Sequence, residues 1–420
     1  MRRLLTFYQL LNRNFRIYFF VGILWSLGLM IFFLVYNLYL IDLGFNEAVI
    51  GQIVAAMSAG TLCITFPSGW LLDRFGVTRS IQAAMLSTVI LLGLRALVLS
   101  PWFLTLLAFM NGIAIGCWIV ALPPFLAHNT TAENRSWVFS LTYGSSIATG
   151  IIAGIYTSAI SRMLTGLEGK SPFSPVQIKQ FLLFSSMAFV IAGFGLSLLL
   201  HPPVGESRLD SKKISTHLEI PKIFALPASF YKILPVLLLW GLFVGSFPPF
   251  FSIFFWRQFG LGLDKIGILS SLSQAFQVSA VMCMPVLIGR IGQVKAIGSM
   301  QAASALTLPL LIWATQLPWA IIIYLAYLSA QVMCEPALEN FIMSLVPPSE
   351  RNRMASLRYT AHFLMSAFSV AISGYAIAHL GYNLMLGCLS LVGITAALIF
   401  FQFYQGQSQR CEKEAIRVQT

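Results

Sequence analysis

Tyr324, Tyr327, Gln331, Glu335 and Glu339 carry the richest chemistry in this sequence. Steps of three and four place them on one broad face of a helix. The surrounding run, 319–345, is apolar and long enough to cross a bilayer. Glu335 lies about 12 residues before Pro347, or roughly 18 Å along a helix, which is well inside hydrocarbon. An acid at that depth costs about 2.5–3.5 kcal/mol even on lenient scales. It must face water, meet a base, or keep its proton. A carboxyl whose protonation follows the hydration of a cavity can carry protons. One proton crossing about 100 mV releases about 2.3 kcal/mol, enough for about 50-fold accumulation or export of a neutral solute. The alternative is a structural carboxyl paired with a base. Glu339 sits nearer the inner surface, within reach of Arg290 or Arg358, and serves either a gate or the site itself.

Other polar and aromatic groups are weaker candidates. Asn37 and Tyr36 lie in the first apolar run, and Asn111 and Trp118 in the fourth. The seventh offers Trp240, Phe243, Phe247, Phe250 and Phe251 around Pro248-Pro249, where a kink is expected. Gln274, Gln277 and His362 read as partners in internal hydrogen bonds. Arg95, near the outer end of the third run, is expected to snorkel to the surface.

These residues sit on twelve apolar stretches, placed at 17–40, 48–71, 80–100, 103–127, 137–160, 179–200, 233–256, 266–288, 295–315, 319–345, 355–379 and 383–403. Composition agrees with a membrane protein: 58% hydrophobic, 10% charged, mean hydropathy +0.81. Runs of this length exclude a transmembrane barrel, whose strands are about half as long and alternate in polarity. The first run is too long for a cleavable signal peptide, and no small-residue cleavage site follows it. Most of the 26 Lys and Arg fall on one side if both termini are cytoplasmic, so that orientation in the cell membrane is expected. The net charge of +12 then reflects orientation and anionic lipid, and nucleic acid is not an expected partner. The six cysteines are scattered singly and suggest neither metal nor disulfides. No Gly-rich phosphate-cradling loop provides for ATP. No nucleophile–base set supports an enzyme.

The two halves echo each other at an offset of 216 residues. Gly44 maps to Gly260, Gly51 to Gly267, Arg74 to Arg290, Gly76 to Gly292 and Arg79 to Lys295. Further on, Ser140-Leu141-Thr142-Tyr143 meets Ser356-Leu357-Arg358-Tyr359. A chain built twice from one membrane plan places its ligand site between the copies. The expected organisation is a six-helix bundle over 1–200, a cytoplasmic linker over 201–232 and a second six-helix bundle with a short tail over 233–420. Within the linker, Ile214, Leu218, Ile223 and Phe224 beside Lys212, Lys213 and Lys222 allow a short amphipathic piece on the inner leaflet, or a solvated connection.

The run Gly69-Trp70-Leu71-Leu72-Asp73-Arg74-Phe75-Gly76-Val77-Thr78-Arg79 closely resembles the loop between helices two and three of the major facilitator superfamily, G-x-L-x-D-R-x-G-R-R-x. The resemblance extends over essentially the whole chain and implies an all-α fold of twelve transmembrane helices in two pseudo-symmetric bundles. In this motif Gly69 permits close helix approach and Gly76 a sharp turn, while Asp73 can face the positive end of a neighbouring helix. In the family that neighbour is the eleventh helix, here beginning near Met354, and the contact closes the inner side. The gating set is Gly69, Asp73, Arg74, Gly76 and Arg79, echoed by Arg290 and Gly292. Gly289 replaces the acid, so the lock exists once. Glu133 with Arg135, and Glu350 with Arg351 and Arg353, can bridge to these loops.

The resemblance also implies a central cavity lined by helices one, four, seven and ten. It makes Glu335, Gln331, Tyr327, Glu339, Asn37, Asn111 and Trp240 the expected substrate or proton site. The Gly-Pro-rich pattern of drug–proton antiporters is absent from helix five, as are the helix-four arginine of many proton-coupled members and the sugar-carrier element after helix six. The expected activity is secondary transport of a small organic solute by alternating access. It would be driven by a proton gradient rather than a bound cofactor, and would lean to export of amphipathic or cationic compounds by a monomer. Uptake of a small metabolite, with or without a proton, is the runner-up. A lipid flippase and a non-transporting receptor are readings of another class.

Overall fold

The computed structural model describes the backbone of residues 13–65, 67–130, 132–166, 172–201, 228–347 and 350–419. Side chains at 68–70, 132–133, 135–136, 228–229, 352–353 and 406–419 fall outside that description. Most of the expected linker therefore lies outside the described residues, including the amphipathic piece around Ile214. So do the side chains of Gly69, Glu133, Arg135 and Arg353.

The described chain is almost entirely helical. The spans are α1 (Arg13–Asp42), α2 (Glu47–Thr65), α3 (Val77–Leu97), α4 (Pro101–His128), α5 (Ala132–Thr165) and α6 (Pro175–Ser197). A short helix, Ser68–Phe75, extends α2 towards the turn before α3. Then come α7 (Ala228–Ser246, continuing as Phe251–Phe259), α8 (Leu263–Ile291), α9 (Gln293–Thr307) and α10 (Leu317–Ser344). The last helix, Arg351–Gln419, breaks at Gly381, where φ is 81° and ψ 169°; residues 351–380 form α11 and 382–419 form α12. Among the described residues, eleven helices are long and apolar enough to cross a membrane. One of them, Met354–Gln405, has 52 residues. That length would reach about 78 Å as one helix, far beyond a hydrocarbon core of about 30 Å. Divided at Gly381 it supplies two crossings, which gives twelve.

Local sequence explains the helix ends. Ser174 and Gln177 form a capping box at the start of α6, each side chain bonding the other's backbone N–H. Proline occupies the first turn of α4, α6 and α10, where its missing N–H costs nothing. The expected kink in α7 is present: helix gives way at Pro248–Phe250 to a tighter 3-10 turn and then resumes. By contrast, α10 runs unbroken through Pro336.

The chain divides into two compact units. The first holds α1–α6 together with Phe255–Ser271; the second holds 228–254 and everything from Leu272 onward. By packing, the end of α7 and the start of α8 belong with the first unit. Within that unit, Gly154 of α5 and Gly267 of α8 pass so closely that a Cβ on either would lie 2.4–2.6 Å from the other's carbonyl oxygen. Ser271 Oγ donates to the Ile151 carbonyl at 2.7 Å. Two glycines at one crossing let the backbones touch, as small residues do in membrane bundles. In the second unit, α7 packs on α11 through Gly241 and Gly245, against Met365 and Ser366.

Candidate functional site

In the second unit, α7, α10 and α11 bring four of the chemically active side chains together. The Trp240 indole N–H of α7 donates to Glu335 Oε1 at 2.7 Å. Arg358 of α11 donates through Nη2 to Glu335 Oε2 at 3.0 Å. Its Nη1 lies 3.3 Å from Glu339 Oε1, so one guanidinium spans both carboxylates. Glu335 and Glu339 are one helical turn apart on α10, which is the spacing a single planar fork can bridge. His362, one turn beyond Arg358, lies within the electrostatic reach of both Glu335 and Arg358.

Accessibility grades across the cluster. The Arg358 side chain is 11% exposed, Glu335 27% and Glu339 41%. The base is the buried member and the two acids open outward. Two carboxylates against one guanidinium leave one negative charge over when all are ionised. That surplus is the chemical content of the site: it can accept one proton or one organic cation.

The rest of the α10 face is packed. Tyr327 is fully buried, edge-on to Phe243 at 5.9 Å and to Phe247 at 6.0 Å, and its hydroxyl has no hydrogen-bond partner among the described residues. Tyr324 stacks on Phe251 at 5.5 Å. Gln331 is 3% exposed and donates weakly to the Val244 carbonyl at 3.4 Å. One face therefore carries two functions, a buried aromatic core towards the helix start and a charged opening towards its end. Trp240 joins them, stacking on Phe243 at 5.1 Å while its N–H holds Glu335.

Sequence reasoning placed Arg358 only beside Glu339 and did not see it as the base that holds Glu335. A signal was available. At the 216 offset Arg358 stands where the first half has Thr142, and Glu335 stands where it has Ile119. An acid and a base thus enter neighbouring helices together in one half only. Arg290, the other candidate for Glu339, is exposed and makes no ion pair among the described residues.

The remaining candidates lie in the first unit. Asn111 is fully buried, and neither end of its amide has a partner among the described residues. Asn37 is buried on α1. Arg95 corrects an expectation: rather than snorkelling outward it is 1% exposed, with its guanidinium 4.3 Å from the Tyr36 ring and 5.0 Å from that of Phe32. Helical side chains lean towards the N-terminus of their own helix. In α3 that direction leads away from the helix's C-terminal end and onto two aromatic faces of α1, which attract a cation.

The motif expected to form the gate takes a definite backbone form. Gly76 closes the short helix with φ 81° and ψ 152°, and Gly292 closes α8 with φ 83° and ψ 156°. A residue with a Cβ would be strained at either turn. Asp73, Arg74 and Arg79 are exposed; Arg74 covers the Phe75 ring at 5.6 Å, and Asp73 makes no ion pair among the described residues. Glu350 and Arg351 likewise form no ion pair among the described residues.

Charges at the other end of the first unit are paired. Lys179 of α6 forms an ion pair with Asp42 of α1. Arg257 meets Glu47 with two nearly parallel contacts, Nε to Oε1 at 2.7 Å and Nη2 to Oε2 at 3.1 Å. Sequence reasoning proposed neither pair, because the partners are 137 and 210 residues apart.

Comparison with known proteins agrees with this architecture. The Major Facilitator Superfamily pattern matches residues 17–263 and 233–414. The multidrug resistance protein MdtG of Enterobacter lignolyticus (strain SCF1) is 34% identical over 132 residues, a match covering 29% of this chain and only 31% of that protein. Among solved structures, a bacterial homologue of the iron transporter ferroportin in an inward-facing state aligns with a TM-score of 0.73 at 15% identity, covering 93% of this chain and 98% of that one. The D-xylose–proton symporter aligns at 0.71 with 16% identity over 93% and 97% of the two chains. The nucleoside transporter NupG aligns at 0.71 with 13% identity over 94% and 99%. At such identities these structures establish the fold alone. Family match, twelve crossings and internal repeat converge: the chain belongs to the major facilitator superfamily and is a multi-pass membrane transporter of small molecules, not an enzyme.

Proposed function

We propose that this transporter is proton-coupled and exports amphipathic or cationic compounds. It would act as a monomer in the cell membrane with both termini cytoplasmic. The observation that carries the reading is the Glu335 carboxylate, deep in α10, held between the Trp240 N–H and Arg358 yet with 27% of its side chain accessible. A wholly buried, fully paired carboxylate would be structural. This one shares its base with Glu339 and keeps an open side, so protonation or arrival of an organic cation discharges the surplus charge without breaking the fold. Either event weakens the hold on Arg358, and because both draw on one surplus charge each ligand displaces the other, which is the condition for exchange. The likeness to a protein named for multidrug resistance points the same way for the substrate. The retained positive-side bias supports the orientation.

The test is flux in proteoliposomes with an imposed pH gradient, comparing wild type with Glu335→Gln. Proton-driven movement of a cationic dye should disappear in the variant while passive exchange of the same dye survives. Wild-type proton-driven flux in Glu335→Gln would end the proposal. A dye driven inward by the proton gradient would replace export by uptake.

A further inference from the structure

Where α1 and α5 end and α6 and α8 begin, the first unit holds an open pocket of about 360 Å³. Every residue that lines it belongs to that unit, and none of the residues expected to bind substrate or proton is among them. The ends of spanning helices lie at the level of lipid headgroups. We propose that this pocket binds a primary ammonium and a phosphate held a few atoms apart, the chemistry of an ethanolamine phospholipid headgroup. The proposal depends on neither the direction nor the coupling of transport.

Two charged side chains line the pocket, Lys179 of α6 and Asp264 of α8. Lys179 is 7% exposed and already paired with Asp42, so those two charges cancel. Asp264 makes no ion pair among the described residues and is partly exposed. The three groups together carry one negative charge when all are ionised. A Cβ at Gly262 would lie 2.6 Å from Asp264 Oδ1, so a larger residue there would crowd the carboxylate. An acid in the first turn of α8 also suits the helix dipole, a role that needs no pocket around it.

The neighbouring groups select the kind of cation. Thr165 Oγ1 donates its proton to the Ser161 carbonyl at 2.7 Å, which leaves only lone pairs to offer a guest. An acceptor in the same pocket as a carboxylate suits the N–H groups of a primary ammonium. Trp256 and Phe173, 37% and 49% exposed, add open ring surface that attracts positive charge. Lys179 supplies the other half of the site. Its ammonium has three N–H donors, and the bond to Asp42 leaves donors for a phosphate oxygen. An anionic headgroup with no ammonium would meet the surplus negative charge and be disfavoured. The volume falls inside the range of about 300–1,000 Å³ usual for small-molecule sites.

The test titrates the full-length protein in detergent with short-chain phosphatidylethanolamine and, separately, with phosphatidylglycerol of the same chains, read by native mass spectrometry. The ethanolamine lipid should bind about tenfold more tightly, the scale of one charge-assisted contact. Asp264→Asn, nearly the same in shape, should remove most of that preference. Thr165→Val alters an exposed side chain and should weaken the ethanolamine lipid about threefold. Soluble phosphoethanolamine separates the two sources of this chemistry. Displacement of the lipid by it at similar concentration would make the ligand a free solute, and failure to displace would make it the membrane lipid. Equal binding of the two lipids by wild type, or an unchanged preference in both variants, would overturn the proposal.

Discussion

The two units place different chemistry on the same helical plan. In the second, the α10–α11 level holds Glu335, Glu339 and Arg358. In the first, the corresponding α4–α5 level holds Ile119, Pro123 and Thr142 beside a stack of rings. The first unit keeps its ion pairs at a helix end instead, as Asp42–Lys179 and Glu47–Arg257. Turns and crossings are repeated, and the middle of the span is where the copies part. Duplication supplies a scaffold twice, and a site needs its charges only once.

The sharpest way to break this comparison is to make the second unit neutral as well. A monovalent cation exchanged for one proton moves no net charge, so the pH gradient alone drives it; Glu335→Gln should reduce its accumulation ratio from about 100-fold at roughly 2 pH units to near unity, measured in proteoliposomes. Arg358→Ala should act mainly on stability. It leaves two acids without their shared base, and the cost should be about 3 kcal/mol, the low end for a buried pair because both acids keep some exposure. Adding Glu335→Gln to that variant should restore part of the loss. A double-mutant cycle on thermal unfolding reads the coupling directly. Additive effects would mean that the fork carries no energy.

Trp240→Phe asks a finer question, since it keeps the ring stacked on Phe243 and removes only the N–H that holds Glu335. Hydrogen bonds to charged groups contribute about 1.5–3 kcal/mol. Glu335 is partly exposed, so about tenfold lower proton-driven flux is expected, well short of the Glu335→Gln collapse. Loss as severe as that of Glu335→Gln would make the indole a participant and not a positioning group.

How far the sequence reveals all this depends on the range of the interaction. The repeat is legible because backbone turns are local. Gly76 and Gly292 adopt φ/ψ values within four degrees of each other, and Gly44 and Gly260 both have positive φ. The α10 face is legible through helical spacing, although the depth at which it changes from core to charge is not. Tyr327 and Gln331 fit the periodicity and lie in packed interior, because Phe243 and Phe247 cover the Tyr327 ring and Gln331 turns to the Val244 carbonyl of α7. Arg95 was misjudged for a related reason: depth along a helix says where a side chain starts, and the aromatic faces of α1 decide where it ends. Pairs such as Glu47–Arg257 join helices distant in sequence and leave no local pattern at all.

The smallest effect should come from that last pair, and it sharpens the comparison by its response to salt. The Arg257 side chain is 45% exposed while Glu47 is 4% exposed. Solvent and ions reach the base, and truncating that half-exposed side chain lets water reach the Glu47 carboxylate in its place, so Arg257→Ala should lower stability by about 1 kcal/mol or less at low salt. Screening acts on exposed charges over about 10 Å at 0.1 M and about 3 Å at 1 M. The difference between wild type and Arg257→Ala should therefore shrink as salt rises. The difference between wild type and Arg358→Ala should hold, because that guanidinium is 11% exposed and largely beyond the reach of ions. Thermal unfolding of both variants across a salt series gives the two slopes. Equal slopes would mean that the deep cluster is as wet as the helix end, and a carboxylate that wet has no need of Trp240 or Arg358 to remain inside the membrane.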